Sequence, residues 1–175
     1  MKKYIDLWEY AGQILEQVGT AALVTAKAED KVNSMTIGWG FLGVEWAKPI
    51  FTVFVRQSRY TKELLDKNGE FTINVPLKGT DRKQALGFCG SKSGRDVDKI
   101  KELNLHLEEP DVISVPGIKE FPITLECKVV YKQDQDLSLL AADKCQRYYA
   151  PNTPNDGDFH TAYYGEVVAA YIIEE

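Results

Sequence analysis

Three cations and two hydroxyls fall within the seven residues from Arg56 to Lys62, directly after an apolar run over 50–55. A helix starting here would turn free backbone amides and the positive end of its dipole toward Ser58 and Thr61, with Arg56, Arg59 and Tyr60 alongside. Those are the ingredients of a phosphate site. The same residues also suit a plain helix cap flanked by solvated arginines. A second cluster, Gly90, Ser91, Lys92, Ser93, Gly94 and Arg95, has the glycines, hydroxyls and cations of an anion-binding nest, and equally the composition of a mobile loop. A third stretch contains Asn33, Ser34, Met35, Thr36, Ile37, Gly38 and Trp39. There a planar heteroaromatic ligand would find amides to bond and a ring to lie against, although an ordinary strand has the same composition. His160, preceded by Gly157, Asp158 and Phe159, reads as a proton donor, a nicotinamide contact, or a structural histidine.

Several chemistries are excluded. Gly38, Gly40 and Gly43 spell GxGxxG, but Pro49 and another strand follow where a dinucleotide fingerprint needs a helix, so these glycines read as strand glycines. Residues 87–93 do not fit a Walker loop. With two histidines, no HExxH and no CxxC, no metal site is expected.

The elements that must position these residues follow from periodicity. Trp8, Ala11, Leu15 and Val18 form the apolar stripe of a helix over 6–18 that stops at Gly19. Strands are predicted over 21–25 and 35–44 as a hairpin or meander, over 50–55 covered on both faces, and over 71–75, with a helix over 61–67 between the last two. Short helices suit 81–88 and 97–103. In 123–131, Ile123, Leu125, Cys127, Val129 and Tyr131 face inward and Thr124, Glu126 and Lys128 outward. Residues 137–147 read as helix or loop, 151–157 as a turn-rich connection, and 163–173 as a last strand. Six or seven strands with few helices predict a mainly β chain, a small closed barrel with helical excursions, over one domain, 1–175.

The 175 residues carry 21 Lys and Arg against 26 Asp and Glu, a net charge of −5, which argues against a nucleic-acid partner. Three scattered cysteines fit a reducing compartment. No apolar run approaches the roughly 20 residues that span a bilayer, and 1–9 lacks a signal peptide's apolar stretch. A cytoplasmic location without membrane attachment is the expectation.

Taken in order, the segments 33–39, Pro49 with the strand after it, Ser58 to Thr61, Gly69 to Pro76, Cys89 to Ser91, Ser93 to Lys99, and His160 ahead of Gly165 to Val167 resemble the flavin reductase-like family that binds FMN on a split β-barrel, including its flavoredoxin branch. The resemblance implies a Greek-key barrel, a homodimer, and FMN in a groove at or near the subunit interface. It further implies that Asn33, Thr36, Ile37 and Trp39, with Met35 and Gly38 beside them, line the isoalloxazine or ribityl chain. Ser58, Arg59 and Thr61 would hold the phosphate, with Arg56, Tyr60, Ser91, Lys92 and Lys99 as further contacts. The family's histidine follows Gly-Asp directly, whereas Phe159 intervenes here. The implied activity is hydride transfer from NADH or NADPH to flavin and onward electron delivery. The alternatives are a flavoredoxin-like carrier reduced by a redox protein partner, and a non-catalytic ligand-binding barrel.

Overall fold

The computed structural model of the chain describes residues 1–20 and 22–174. Position 21, where the second predicted segment begins, lies outside the described residues. In chain order the elements are β1 (Lys2–Tyr4), α1 (Leu7–Val18), β2 (Ala22–Ala28), β3 (Lys31–Ile37), β4 (Gly40–Glu45), β5 (Lys48–Arg56), α2 (Tyr60–Asn68) and β6 (Glu70–Val75). After them come α3 (Lys83–Ser91), α4 (Lys99–Glu102), β7 (Leu107–Glu108), β8 (Gly117–Ile118), β9 (Ile123–Asp134), a 3₁₀ turn (Leu137–Leu139), α5 (Ala142–Tyr148) and β10 (His160–Ile173).

The main sheet runs β3-β2-β6-β9-β10-β5-β4, with β1 added along β10, and β7 pairs with β8 in a separate ribbon. Its ladders are antiparallel. The two ends, β3 and β4, are consecutive in the chain, joined through Gly38 and Trp39, yet no ladder joins them among the described residues. The expected closed barrel is therefore split at this seam. The inner faces of β2, β3, β5, β6, β9 and β10 feed one core with Leu7, Ile14 and Val18 of α1 and Leu64 and Leu65 of α2, which requires the sheet to roll up. Each fully buried ring, Phe51, Phe71 or Tyr163 among them, contributes on the order of 2 kcal/mol by leaving water. A smaller cluster of Leu23, Cys89, Leu105, Ile118 and Phe121 fixes α3 and α4 to the back of β2. That cluster aims the loop between the two helices at β3.

Four expectations change. Helix α1 buries Leu7, Ile14 and Val18 and leaves Trp8 and Leu15 exposed, so its inward face is turned by about one residue from the predicted stripe. In β9, Val129 pairs with Gly165 while Tyr131 pairs with Tyr164. The slip inserts one residue and puts Tyr131 on the outer face, because a one-residue shift reverses sidedness. Thr124 and Glu126 point outward as read but are fully buried, because residues 110–118 cover them. The segment predicted over 35–44 is broken at Gly38 and Trp39 into the end of β3 and the start of β4, while 137–147, read as helix or loop, holds the 3₁₀ turn and α5. Gly165 is required by close approach, since a Cβ there would stand 2.5 Å from Phe71 Cζ and 2.8 Å from Cys127 Cβ. Gly40 likewise sits against the Phe51 ring and the Thr52 carbonyl; it and Gly43 lie in β4 and Gly38 in the bend before it, with no helix following.

Candidate functional site

Strand β5 ends at Arg56, and the chain turns through Gln57 and Ser58 into α2. Arg59 takes the N-cap position, and no side chain caps the helix; neither Ser58 nor Thr61 does so. The first turn of α2 is therefore short of an acceptor. Beside it lies a cavity of about 90 Å³ lined by Asn33, Met35, Ser58, Arg59, Tyr60, Thr61, Lys92, Ser93, Gly94, Arg95 and Lys99. All three candidate segments, the second of them in the loop between α3 and α4, meet in this one place. Its lining holds four cations and no carboxylate.

Lys99 is the most informative of these residues. It is 4% exposed, and its Nζ donates to the carbonyls of Ser34 at 3.0 Å and Cys89 at 2.9 Å, which leaves one ammonium proton for the cavity. None of the ion pairs among the described residues includes Lys99, Lys92, Arg59 or Arg56. Burial pulls the Lys99 pKa below the ordinary lysine value, offset in part by the Cys89 side chain and reinforced by Arg59. A buried cation without a counter-charge is costly unless a ligand supplies one. Arg95, by contrast, is neutralised by Glu63 and donates to the Ser58 carbonyl at 3.0 Å, so it acts as a buttress. Gly94 must be glycine, since a Cβ would fall 2.1 Å from Asn33 Oδ1. That close approach lets Asn33 Nδ2 reach Thr61 Oγ1 at 2.8 Å and leaves the buried Thr61 hydroxyl proton free to donate.

An adjoining cavity of about 170 Å³ is lined by Met35, Thr36, Ile37, Gly38, Trp39, Phe54, Arg56, Arg59 and His160. Met35 and Arg59 belong to both. This second space lies along the seam of the sheet, where the break between β3 and β4 leaves Gly38 and Trp39 unladdered. Thr36 Oγ1 donates to the Leu86 carbonyl at 2.6 Å, tying the strand to α3. Trp39 stands edge-on to Tyr148, with centroids 5.1 Å apart, and 4.6 Å from the His160 ring.

His160 is buried, and its Nδ1 lies 2.6 Å from the Tyr149 hydroxyl. Tyr149 has one hydroxyl proton, donated to Gln135 Oε1 at 3.0 Å, so its oxygen accepts from Nδ1–H and Nε2 is the unprotonated ring nitrogen. Burial, then Arg56, lower the histidine's pKa to about 4 against an opposing pull from Asp158. The imidazole is thus neutral at pH 7, and its free nitrogen is an acceptor, unlike the proton donor considered from sequence.

Ser91 is the one predicted contact that the fold does not bring in. Its hydroxyl donates back to the Gly87 carbonyl at 2.8 Å, and it lines neither cavity. Ser58 is present but engaged: its amide and hydroxyl donate to the Asp158 carboxylate at 2.9 and 2.7 Å. Sequence reasoning assigned no role to Asp158, Tyr149 or Phe54. The run Tyr148, Tyr149 and the acid two places before His160 were the available signals. A third hollow of about 270 Å³ lies across Phe54, between the end of β9 and the 3₁₀ turn. It contains no cation, and Asp134, Gln135 and Asp136 in its wall are held by neighbours. Among the described residues there is no cluster that could hold a metal ion.

A rolled antiparallel sheet, split at one seam and carrying an uncapped, cation-lined helix start beside that seam, defines a split-barrel protein. The family model for the flavin reductase like domain matches residues 18–175, and the chain belongs to that family. Among solved structures it is similar to the flavoredoxin of Methanosarcina acetivorans, at 29% identity and a TM-score of 0.63 over 88% of this chain and 68% of that one. An FMN-binding domain of a flavin reductases-like enzyme from Shewanella baltica shares the fold, at 22% identity and a TM-score of 0.68 over 98% and 77%. An uncharacterized protein of Archaeoglobus fulgidus is 34% identical over 101 residues, 58% of this chain and 55% of that protein. The match thus spans little more than half of that relative's length.

Proposed function

We propose that this protein binds FMN across the two joined cavities and works as an NADH- or NADPH-dependent oxidoreductase. The observation that supports it most is the buried, counter-charge-free Lys99 facing a cavity of cations at the uncapped start of α2. A phosphate fits this donor set better than a neutral ligand does. Lys99, Lys92, Arg59, the Thr61 hydroxyl and the first amides of α2 would hold the phosphate. Asn33 positions Thr61, and Tyr60 supports Arg95 through its ring face. Met35, Thr36, Ile37, Gly38, Trp39 and Phe54 would border the ring system, and neutral His160, held by Tyr149, offers it an acceptor nitrogen. When bound, the cofactor would supply the hydride and electron chemistry, so the side chains need only bind, orient and exclude water. Arg56, anchored on the Asp158 and Tyr148 carbonyls at 3.0 and 3.4 Å, keeps α5 and the following loop over the cavity.

The outer face of β4, β5, β9 and β10 carries Phe41 on Phe54 and a cluster of Trp46, Tyr131 and Tyr164. Phe41, Trp46 and Tyr131 are exposed. A second copy of the chain would cover this patch and, through Phe54, close the ring cavity, which supports a homodimer.

Likeness to a flavoredoxin at 29% identity favours one further reading, an electron carrier reduced by a protein partner. Anaerobic addition of NADH, then NADPH, to protein loaded with FMN separates the two. Bleaching of the flavin band at a useful rate supports the oxidoreductase, absence of bleaching with bound FMN supports the carrier, and absence of FMN binding defeats both.

A further inference from the structure

The segment after α5 is almost wholly exposed from 151 to 157, yet it ends in a directed contact. The Asp158 carboxylate lies astride the Ser58 amide and hydroxyl, one oxygen to each, at 2.9 and 2.7 Å. Two donors meeting two oxygens of one anion is also how a phosphate would engage this corner, and Ser58 lines the cavity shared by Arg59, Lys92 and Lys99. No ion pair among the described residues includes Asp158, and Arg56 meets only its backbone carbonyl. The carboxylate's charge is therefore not cancelled by a direct cation contact. Residues 151–157 are exposed, while the backbone of Asp158 and Phe159 is held by Arg56 and the Gln57 amide, so a competing anion need only turn the Asp158 side chain away and not move the segment.

Building on the FMN reading, we propose that Asp158 is a specificity-determining residue that competes with a ligand's phosphate for the Ser58 donors and weakens the hold on phosphorylated flavins. A phosphate entering the cavity either displaces the carboxylate or sits beside a like charge, and both reduce affinity. Riboflavin, which lacks the phosphate, is indifferent to it. The consequence is a cofactor that exchanges instead of remaining permanently seated.

The test is a fluorescence titration of the full chain with FMN and with riboflavin, comparing the natural protein with Asp158→Asn and Asp158→Ala. Asparagine keeps an oxygen for Ser58 but removes the charge. Alanine removes both, and serves where the asparagine form folds poorly. FMN should tighten about tenfold in either variant, with riboflavin unchanged within about twofold. FMN affinity that stays the same or falls in the variants, while the natural protein binds FMN, would show that Asp158 merely fastens the loop and would overturn the proposal alone. A natural protein that binds neither flavin would overturn the FMN reading and this proposal with it.

Discussion

Two places in the molecule, one on the outer face of β9 and one where α2 enters the inner core, set backbone amides around space for an anion, and the chain treats them differently. At the first, Glu126 of β9 is fully buried and accepts from the amides of Asp111, Val112 and Ile113 at 2.7, 2.8 and 3.1 Å, and from the Tyr171 hydroxyl at 2.9 Å. At the second, the start of α2 faces Arg59, Lys92 and Lys99 with no carboxylate in the cavity wall. Asp158 and Glu63 touch its rim, through Ser58 and Arg95. Where a protein supplies its own anion, the donors build structure. Where it assembles donors and cations but withholds the anion, a buried charge is left without a counter-charge from the chain, which is the basis for the proposed phosphate site.

The largest effect that tests this contrast is on stability. Glu126→Ala should cost about 4 kcal/mol in urea unfolding, because it leaves the buried Ile113 amide and Tyr171 phenol without an acceptor and strips the part-buried Asp111 and Val112 amides of theirs. A loss below about 1 kcal/mol would show that Glu126 is not holding these donors in place. Next is pH. His160 lies among the cations, and its folded pKa, about 4, is below the ordinary 6.5. Between these values the unfolded chain binds the extra proton. Stability should therefore rise with pH across that window, by up to about 3 kcal/mol. His160→Gln should flatten that slope, and an unchanged slope would assign the dependence elsewhere. On the open side, Lys99→Met should change stability by about 1 kcal/mol or less while FMN affinity falls about 100-fold and riboflavin affinity holds. Arg59→Ala should do the same more weakly, about tenfold, since this exposed side chain makes a single hydrogen bond, to the Gly90 carbonyl at 3.2 Å.

The open corner was more legible in the sequence than the closed one, for a physical reason. Residues 56–61 are adjacent in the chain, and the end of an apolar strand followed by hydroxyls and cations states its geometry locally. Glu126 alternates with Leu125 and Cys127, which places it on the outer face. That the outer face there is dry depends on residues 110–118 folding back across 13 to 15 positions. No periodicity reports such a cover. Tyr131 was misplaced because the slip opposite Gly165 depends on how tightly β10 approaches Phe71, a contact between distant strands. Lys99 stood out only as part of an Asp-Lys pair, and its burial depends on α4 docking beside β3. Asp158 and Tyr149 were visible as residues, but their partners, Ser58 and His160, are set by the return of the chain after α5.

Phosphate binding at the start of α2 is what most needs measuring. Titrating flavin-free protein with FMN and riboflavin at low and high salt tests it directly. FMN should bind more tightly than riboflavin, the excess should shrink as salt rises, and Lys99→Met should abolish it. Equal affinity for the two flavins at low salt, unaltered by that substitution, would contradict a phosphate site there.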